Sequence, residues 1–237
     1  MIAEVVDSAV KWRNRTLEVR ELGRVDYEDG LALQRRLVHQ RRAGEVGDQL
    51  LLLEHPPVIT RGSSSQDEHI LLSADALAER RVAVYEAGRG GDVTYHGPGQ
   101  LVGYPILDLK PDRRDLHAYL RSLEEVLIRL LADFGLQADR EAGFTGVWVG
   151  GEKVAALGIR VSSGWITSHG LALNVEPDLA DFEMIVPCGL AGRSVTSMRR
   201  LLGPGADLTE VPDRLTRAFA EVFGYGSVAY AGGSNSK

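Results

Sequence analysis

Apolar residues recur at helical spacing in several stretches of the chain. The clearest is 114–134, whose single apolar face predicts a helix closed by Gly135. That face consists of Leu116, Tyr119, Leu120, Leu123, Leu127, Leu130, Leu131 and Phe134. The same spacing predicts helices over 27–42, with Asp26 as N-cap and Gly44 at the end, and over 211–223. A short helix capped by Ser73 is predicted over 73–80.

Extended segments lie between these helices. The unbroken apolar run 49–54 predicts a buried strand, and 17–20 has the mixed character of an edge strand. Gly150-Gly151 lies between two apolar segments and predicts a hairpin over 147–161. Further strands are predicted over 58–60, 82–85, 101–107 and 170–175.

Helices and strands mix without strict alternation, which favours the α+β class, with a mixed central sheet and flanking helices. No linker or internal repeat is visible, so we expect one catalytic domain over 1–237, with 1–15 and 226–237 peripheral or frayed. Residues 62–67 are polar and are expected to form a mobile loop.

Composition limits the classes of function. A net charge of −6 offers no basic surface for nucleic acid, and no apolar run is long enough to span a membrane. The single cysteine excludes an internal disulfide and fits a reducing compartment, so a cytoplasmic location is expected. The six histidines are scattered, and their spacing predicts no metal site.

Residues 89–100, which we call the central loop, carry four glycines together with Arg89, Thr94 and His96. Such a density of glycine is typical of backbone that bends sharply or approaches a ligand closely. The loop lacks the Gly-Lys-Ser/Thr of a phosphate-binding loop, and its glycines do not have dinucleotide-binding spacing. A ligand site is therefore predicted here, with a long hairpin connection as the alternative.

Cys188 and Lys153 are the candidate reactive pair. A lone cysteine is more often a small buried hydrophobe, but Pro187 and Gly189 place this one in a turn. A free thiol is mostly protonated at neutral pH, so a nucleophilic Cys188 needs a neighbouring cation. Lys153 is the candidate, and its alternative is a solvent-facing lysine after a hairpin turn. His96 and His169 could be packed histidines or, with Cys188, parts of a Cys-His hydrolase.

The central loop and its continuation, RGGDVTYHGPGQLVGYP over 89–105, resemble the signature of the lipoyl(octanoyl) transferase family. Other segments match in the family's order: Lys153 ahead of Ala-Leu-Gly at 156–158, Ser-His-Gly-Leu-Ala-Leu-Asn at 168–174, and Pro187-Cys188-Gly189. The matches run from about Leu50 to Thr196. One departure is Ser63, where the family usually has a basic residue; Arg61 could replace it if the segment is a regular strand.

The resemblance implies the fold shared by biotin and lipoate protein ligases. It also implies that Cys188 accepts the acyl group as a thioester and that Lys153 lowers the pKa of that thiol. No metal or other cofactor is implied. The substrate-binding residues it implies are Arg89, Gly90, Gly91, Asp92, Val93, Thr94, Tyr95, His96, Ala156, Leu157, Gly158, Gly170, Leu171 and Ala172.

The expected activity is transfer of an octanoyl group from octanoyl-acyl-carrier protein to a lysine of lipoyl domains, in lipoate biosynthesis. The expected acceptors are the lipoyl domains of 2-oxoacid dehydrogenase complexes and the glycine cleavage H protein, without nucleic acid or membrane partners. Three alternatives are an ATP-dependent lipoate or biotin ligase, a Cys-dependent thioesterase, and a carrier-protein binding module with no catalytic activity.

Overall fold

A mixed eight-stranded sheet forms the centre of the computed structural model, which describes residues 14–186 and 194–231. Its strand order is β11-β1-β2-β6-β10-β9-β8-β7. The pairs β1–β11 and β1–β2 are parallel, and the other pairs are antiparallel. The strands are β1 (Thr16–Arg24), β2 (Asp48–Glu54), β6 (Gln100–Ile106), β7 (Asp139–Glu141), β8 (Phe144–Val149), β9 (Glu152–Val161), β10 (Thr167–Asn174) and β11 (Ser227–Tyr230).

A second sheet has three strands in the order β4-β3-β5. They are β3 (Val58–Arg61), β4 (Ala83–Glu86) and β5 (Thr94–His96). The central loop therefore links two different sheets and contains a short strand of its own, which the glycine-rich sequence did not predict. This excludes the simple hairpin connection considered for it.

The four predicted helices form close to their predicted bounds, and a short helix over Met198–Leu202 was not predicted. They are α1 (Tyr27–Ala43), α2 (Ala74–Glu79), α3 (Leu116–Ala132), α4 (Met198–Leu202) and α5 (Val211–Phe223). Ser73 caps α2 by accepting the backbone N–H of Ala76, as predicted, whereas the Asp26 side chain makes no such bond at α1. Gly44 ends α1 in the left-handed conformation that glycine adopts without steric cost.

The two faces of the large sheet carry separate clusters of buried side chains. The larger cluster packs α3 and α5 against one face, and the smaller packs α1 against residues of β2, β6 and β10. Apolar positions on α3 and α5 point inward as their spacing predicts; Leu123, Leu127 and Phe219 are all inaccessible to solvent. The predicted α+β class with a mixed central sheet and flanking helices is confirmed.

Two strand predictions were wrong. β1 was predicted as an edge strand, but it lies between β11 and β2. Residues 227–230 were predicted within a frayed tail, but they form β11, in parallel register with β1. All four residues of β11 are exposed, so no hydrophobic pattern marks it as a strand.

No helix in the described ranges is long and apolar enough to cross a membrane.

Candidate active site

A narrow cavity lies where the central loop passes over strands β9 and β10. Its volume is about 40 Å³. The lining combines residues of the central loop, of the two strands and of α1 and β6: Tyr27, Arg89, Gly91, Asp92, Thr94, His96, Tyr104, Ala156, Leu157, Gly158, His169, Gly170, Leu171 and Ala172. The three segments predicted for substrate binding thus meet at one place.

The pairing of β9 with β10 brings two of these segments together in register. Ala156 faces Ala172, Leu157 faces Leu171, and Gly158 faces Gly170. Directly opposed residues share a sheet face, and successive residues alternate between faces. The alanines and glycines therefore lie on one face and the leucines on the other, so the face without large side chains leaves room beneath the central loop.

The glycine at 158 is required by this close approach. A Cβ there would lie 2.8 Å from the Arg89 Cδ and 3.3 Å from the Gly90 carbonyl oxygen. Gly90 N–H also donates to the Ile159 carbonyl at 2.9 Å, which fixes the loop on the strand. A larger residue at 158 would push the loop away and open the cavity.

Arg89 is buried and holds the start of the central loop. Its guanidinium donates to the carbonyl and the hydroxyl of Thr60, each at 2.8 Å, and to the Gly90 carbonyl at 3.1 Å. This cation lines the cavity, and its positive charge lowers the pKa of the neighbouring imidazoles of His96 and His169.

Burial keeps the histidines of the cavity neutral. It lowers the pKa of His96 to about 3, with a further contribution from His55. It lowers the pKa of His169 to about 4, and the positive charge of Arg89 acts in the same direction. The Nδ1 of His96 lies 2.6 Å from the Oε1 of Gln100, so the neutral ring donates from Nδ1 and leaves Nε2 as an acceptor.

These buried histidines give the protein a pH-dependent stability. Because the folded-state pKa values lie below the ordinary value of 6.5, the unfolded chain takes up protons first as the pH falls. The contribution of these histidines to the free energy of unfolding should be fully present above pH 6.5. Below that pH, the free energy of unfolding should fall by about 1.4 kcal/mol per pH unit for each histidine, down to about pH 4. In urea titrations at pH 7 and pH 5, the His169→Asn variant should lose less stability between the two pH values than the wild type, because it lacks this imidazole. Asparagine is the chosen replacement because it tolerates the φ of 54° at this position.

The exposed His39, on α1, provides the matched control, and His39→Gln should keep the full pH dependence. An identical loss of stability between pH 7 and pH 5 in His169→Asn and in the wild type would contradict a neutral buried His169.

Lys153 lies in a second, larger groove of about 430 Å³ that adjoins the cavity. The two share Gly91, Asp92, Leu157 and Gly158. Only 4% of Lys153 is exposed, so the alternative of a solvent-facing lysine is wrong. Its Nζ lies 5.4 Å from the centre of the Trp148 ring.

The neighbours of Lys153 leave space for its stem. A Cβ at Gly146 would lie 2.5 Å from the Lys153 Cε, so residue 146 has to be glycine. The Gly146 N–H donates to the buried carboxylate of Glu124 at 3.3 Å, and Arg121 and Arg140 pair with the same carboxylate. Two partly exposed arginines and the buried Glu124 thus hold the Gly146 backbone next to the lysine.

Cys188 lies outside the described residues, but the chain on both sides of 187–193 is anchored at this groove. Before the gap, the Val186 N–H donates to the His69 carbonyl at 2.9 Å. After it, the Lys153 N–H donates to the Ser194 carbonyl at 3.0 Å, and the Thr196 N–H donates to the Lys153 carbonyl at 2.9 Å. His69 and Lys153 both line the groove.

Three predicted substrate-binding residues do not line the cavity. Gly90 lines the groove instead. Val93 is inaccessible to solvent and packs in a third core cluster. Tyr95 is 1% exposed, and its hydroxyl donates to Asp181 at 2.5 Å. Alternation along β5 explains the difference, since Thr94 and His96 face the cavity and Tyr95 faces away.

The sequence reasoning did not identify Tyr27, Tyr104 or His69 as site residues. The two tyrosines lie on α1 and β6, within the hydrophobic patterns of their elements, so nothing in the sequence separates them from core residues. His69 is one histidine in a polar stretch, and its position in the groove, beside Asp92, arises only from tertiary structure.

Arg61 and Ser63 do not share a strand. β3 ends at Arg61, whose guanidinium pairs with Asp67. The Ser63 N–H donates to the Arg89 carbonyl at 2.9 Å, and the Ser64 N–H to the Gly91 carbonyl at 3.0 Å. The Gly62 N–H also donates to the Asp92 carbonyl at 3.3 Å, so the polar segment predicted as a mobile loop is bonded to the central loop at three points. The condition for Arg61 to replace the missing basic side chain is not met.

The fold is that of the lipoate-protein ligases. A crystal structure of lipoate-protein ligase A bound with ATP superposes with a TM-score of 0.69, at 16% identity, over 94% of this chain and 90% of that chain. A bi-partite lipoate protein ligase from Thermoplasma acidophilum gives a TM-score of 0.68, at 16% identity, over 94% and 88%. At this level of identity the likeness describes the fold alone.

The sequence comparisons are more specific. The family model for the lipoyl protein ligase A/B catalytic domain matches residues 26–220, so the chain belongs to this family. An octanoyltransferase of Chloroflexus aggregans is 50% identical over 88% of this chain and 96% of its own length. An octanoyltransferase of Solibacter usitatus is 52% identical over 87% and 93%. The resemblance predicted from the motifs is confirmed, and with it the class of enzyme, an acyltransferase.

Proposed function

We propose that the protein is an octanoyltransferase of lipoate biosynthesis that works through a thioester on Cys188. The donor is octanoyl-acyl-carrier protein, and the acceptor is a lysine of a lipoyl domain. The observation that carries the proposal is the anchoring of the chain on both sides of 187–193 at the groove that contains Lys153. Relatives named octanoyltransferases, about half identical to this chain over most of its length, support the same activity.

Covalent geometry limits how far Cys188 can lie from the groove. Cys188 follows Val186 by two residues, and two fully extended residues span about 7 Å. Since the Val186 N–H donates to the His69 carbonyl, the last described residue before the cysteine lies next to the groove. Lys153 is the buried cation that we assign to the stabilisation of the thiolate.

The acyl chain would lie in the cavity and extend into the groove. A cavity of about 40 Å³ has room for about three water-sized groups, which is too few for eight carbons. The adjoining groove adds apolar contacts from Leu116, Leu120 and Phe144. Burial of the chain would contribute about 0.8 kcal/mol for each CH₂ removed from water.

The reaction balances in two steps. The Cys188 thiolate attacks the donor thioester carbonyl, a new C–S bond forms, and the carrier leaves as a thiolate. The acceptor amine then attacks the enzyme thioester, a C–N bond forms, and the C–S bond breaks with its electron pair on the Cys188 sulfur. The proton that the amine loses passes to the Cys188–Lys153 pair. Exchange between thioesters is close to neutral in energy and amide formation is downhill, so neither step needs ATP.

The decisive experiment is intact-mass analysis after incubation with octanoyl-acyl-carrier protein. The wild type should gain the mass of one octanoyl group, lose it when a lipoyl domain is added, and require no ATP. Cys188→Ala should gain nothing. An active Cys188→Ala protein that requires ATP would instead identify a ligase. Release of free octanoate at a rate independent of the lipoyl domain would identify a thioesterase, and a wild type that binds the carrier without acylation would identify a binding module.

A further inference from the structure

Gln100 and Asn174 form a buried pair of side-chain amides to which the proposed reaction assigns no role. Gln100 is the last residue of the central loop and the first of β6, and Asn174 is the last residue of β10. They lie opposite each other in the antiparallel pairing of these strands, and the Gln100 Nε2 donates to the Asn174 Oδ1 at 2.9 Å. Buried amides are costly to leave unpaired, so the remaining bonds of this pair, which we call the amide bridge, show what it holds together.

On one side the amide bridge holds a ring of the cavity. The Gln100 Oε1 accepts from Nδ1 of His96 at 2.6 Å, and the Gln100 Nε2 also donates to the Tyr95 carbonyl at 3.3 Å. His96 is buried and lines the cavity. Gln100 therefore fixes the orientation of this ring in the wall of the proposed acyl site.

On the other side the amide bridge holds residues 194–196 beside Lys153. The Asn174 Nδ2 donates to the Thr196 carbonyl at 3.0 Å. The Thr196 N–H in turn donates to the Lys153 carbonyl, and the Lys153 N–H donates to the Ser194 carbonyl. Val195 thereby pairs with Lys153 as a parallel bridge. Asn174 thus anchors the polypeptide that follows the gap at 187–193 next to the lysine.

The side-chain bonds of this series all point the same way. The Thr196 carbonyl can only accept, so Asn174 presents its NH₂ group to it and its oxygen to Gln100. The Asn174 oxygen can also only accept, so Gln100 presents its NH₂ group to Asn174 and its oxygen to His96. A backbone carbonyl beside Lys153 therefore determines which nitrogen of a cavity histidine carries the proton. Bonds aligned in this way polarise and strengthen one another.

We propose that Gln100 and Asn174 are positioning residues that hold the reactive pair in a fixed relation to the acyl cavity. The inference rests on the proposed transfer through Cys188 and Lys153. Because residues 187–193 are anchored at both ends, a displacement of 194–196 would shift the thiol relative to the lysine. An attacking thiolate and a bound acyl chain react fast only when their relative position is fixed, which is what a bond series from Lys153 to the cavity provides.

A purely structural role of the amide bridge would have a different signature. Its bonds would then contribute only to the free energy of unfolding, and a folded variant would react like the wild type. The positioning role instead requires that folded variants differ in two measurable ways. Loss of Asn174 should change the ionisation of the thiol, and loss of Gln100 should change the binding of the acyl donor.

The test measures alkylation of Cys188 by iodoacetamide as a function of pH in Asn174→Ala. This variant removes the donor to Thr196 and adds no charge. Alkylation at pH 7 should slow by about fivefold, and the rate should recover at high pH, where the thiol ionises without help. Gln100→Ala cuts the series on the cavity side, so it should raise the KM for octanoyl-acyl-carrier protein by about fivefold and slow alkylation by less than about twofold.

Gln49→Ala is the matched control. Gln49 is another fully buried amide of the same sheet, and its Nε2 donates to Glu18 at 2.9 Å. Neither of these two residues lines the cavity or the groove. In urea titrations Gln49→Ala should lose stability as Asn174→Ala does, but it should keep the wild-type pH profile of alkylation and the wild-type KM.

Four outcomes would overturn the proposal. They are wild-type alkylation in folded Asn174→Ala, slowing that persists at high pH, equal slowing in Gln49→Ala, and an unchanged KM in Gln100→Ala. The last measurement decides the matter even if Asn174→Ala does not fold. A wild type that is alkylated normally but never forms an acyl-enzyme would instead reject the proposed function.

Discussion

Replacing Lys153 by methionine should slow alkylation of Cys188 at pH 7 by about fifteen-fold. If the lysine lowers the thiol pKa by about 1.5 units, its loss returns the pKa to about 8.5 and reduces the thiolate from about half of the molecules to about 3%. Methionine keeps the length of the buried stem and removes only the charge. The rate should recover at high pH, where the thiol ionises without help.

Octanoyl transfer should be nearly lost in Lys153→Met and in Cys188→Ala. The double variant should be no worse than the more affected single one, because residues that act as a unit do not have additive effects. Lys110→Ala is the matched control, since the side chain of that lysine is exposed and its ammonium pairs with Asp108. If the pH profiles of alkylation for Lys153→Met and the wild type superimpose, Lys153 does not lower the pKa of the Cys188 thiol. His96 and His169 could not then supply the cation, because both stay neutral at pH 7.

Gly170→Ala should lower the melting temperature by about 6–12 °C. A Cβ at this position would lie 2.3 Å from the Gly103 carbonyl oxygen and 2.5 Å from the Pro105 Cδ. Both atoms belong to β6, so relief requires β6 and β10 to move apart. Overpacking of this kind costs about 3 kcal/mol, and each kcal/mol shifts the midpoint by about 2–4 °C at this chain length.

The matched control for this variant is Gly47→Ala. A Cβ at residue 47 meets nothing within 4 Å, and its φ is not in the left-handed region, so the melting temperature should change by less than about 2 °C. Thermal unfolding of the two purified variants, followed by circular dichroism, is the measurement. Equal midpoints would show that the close packing of β6 on β10 is not required for stability.

The parts of the fold that the sequence predicted are those with a strong local signal. The apolar face over 114–134 placed α3 within two residues of its bounds, and Gly150-Gly151 placed the β8–β9 turn. β5 was missed because its three residues lie within a glycine-rich loop, and β11 because its exposed residues have no apolar alternation. The position of β1 inside the sheet depends on β11, more than 200 residues away, so no local pattern could reveal it.

The sequence predicted which segments form the site, but it did not predict how those segments contact one another in the folded protein. The motifs singled out the central loop, 156–158 and 170–172, and the β9–β10 register explains why the last two occur together. The contact of His69 with Asp92, and the bonds of Lys153 with residues 194–196, join positions 23 to 43 residues apart and arise from tertiary structure. The roles of the individual side chains stay predictions until the variants are measured.

The pairing of β11 with β1 has a consequence for biosynthesis. The ribosome makes β1 early, and β11 follows 211 residues later, as the Thr16–Ser227 pair shows. Until the C-terminal region emerges, one edge of β1 carries unpaired backbone groups that can add a strand from another chain. The nascent protein is therefore open to aggregation through most of translation, and a premature stop before Ser227 leaves that edge permanently uncovered.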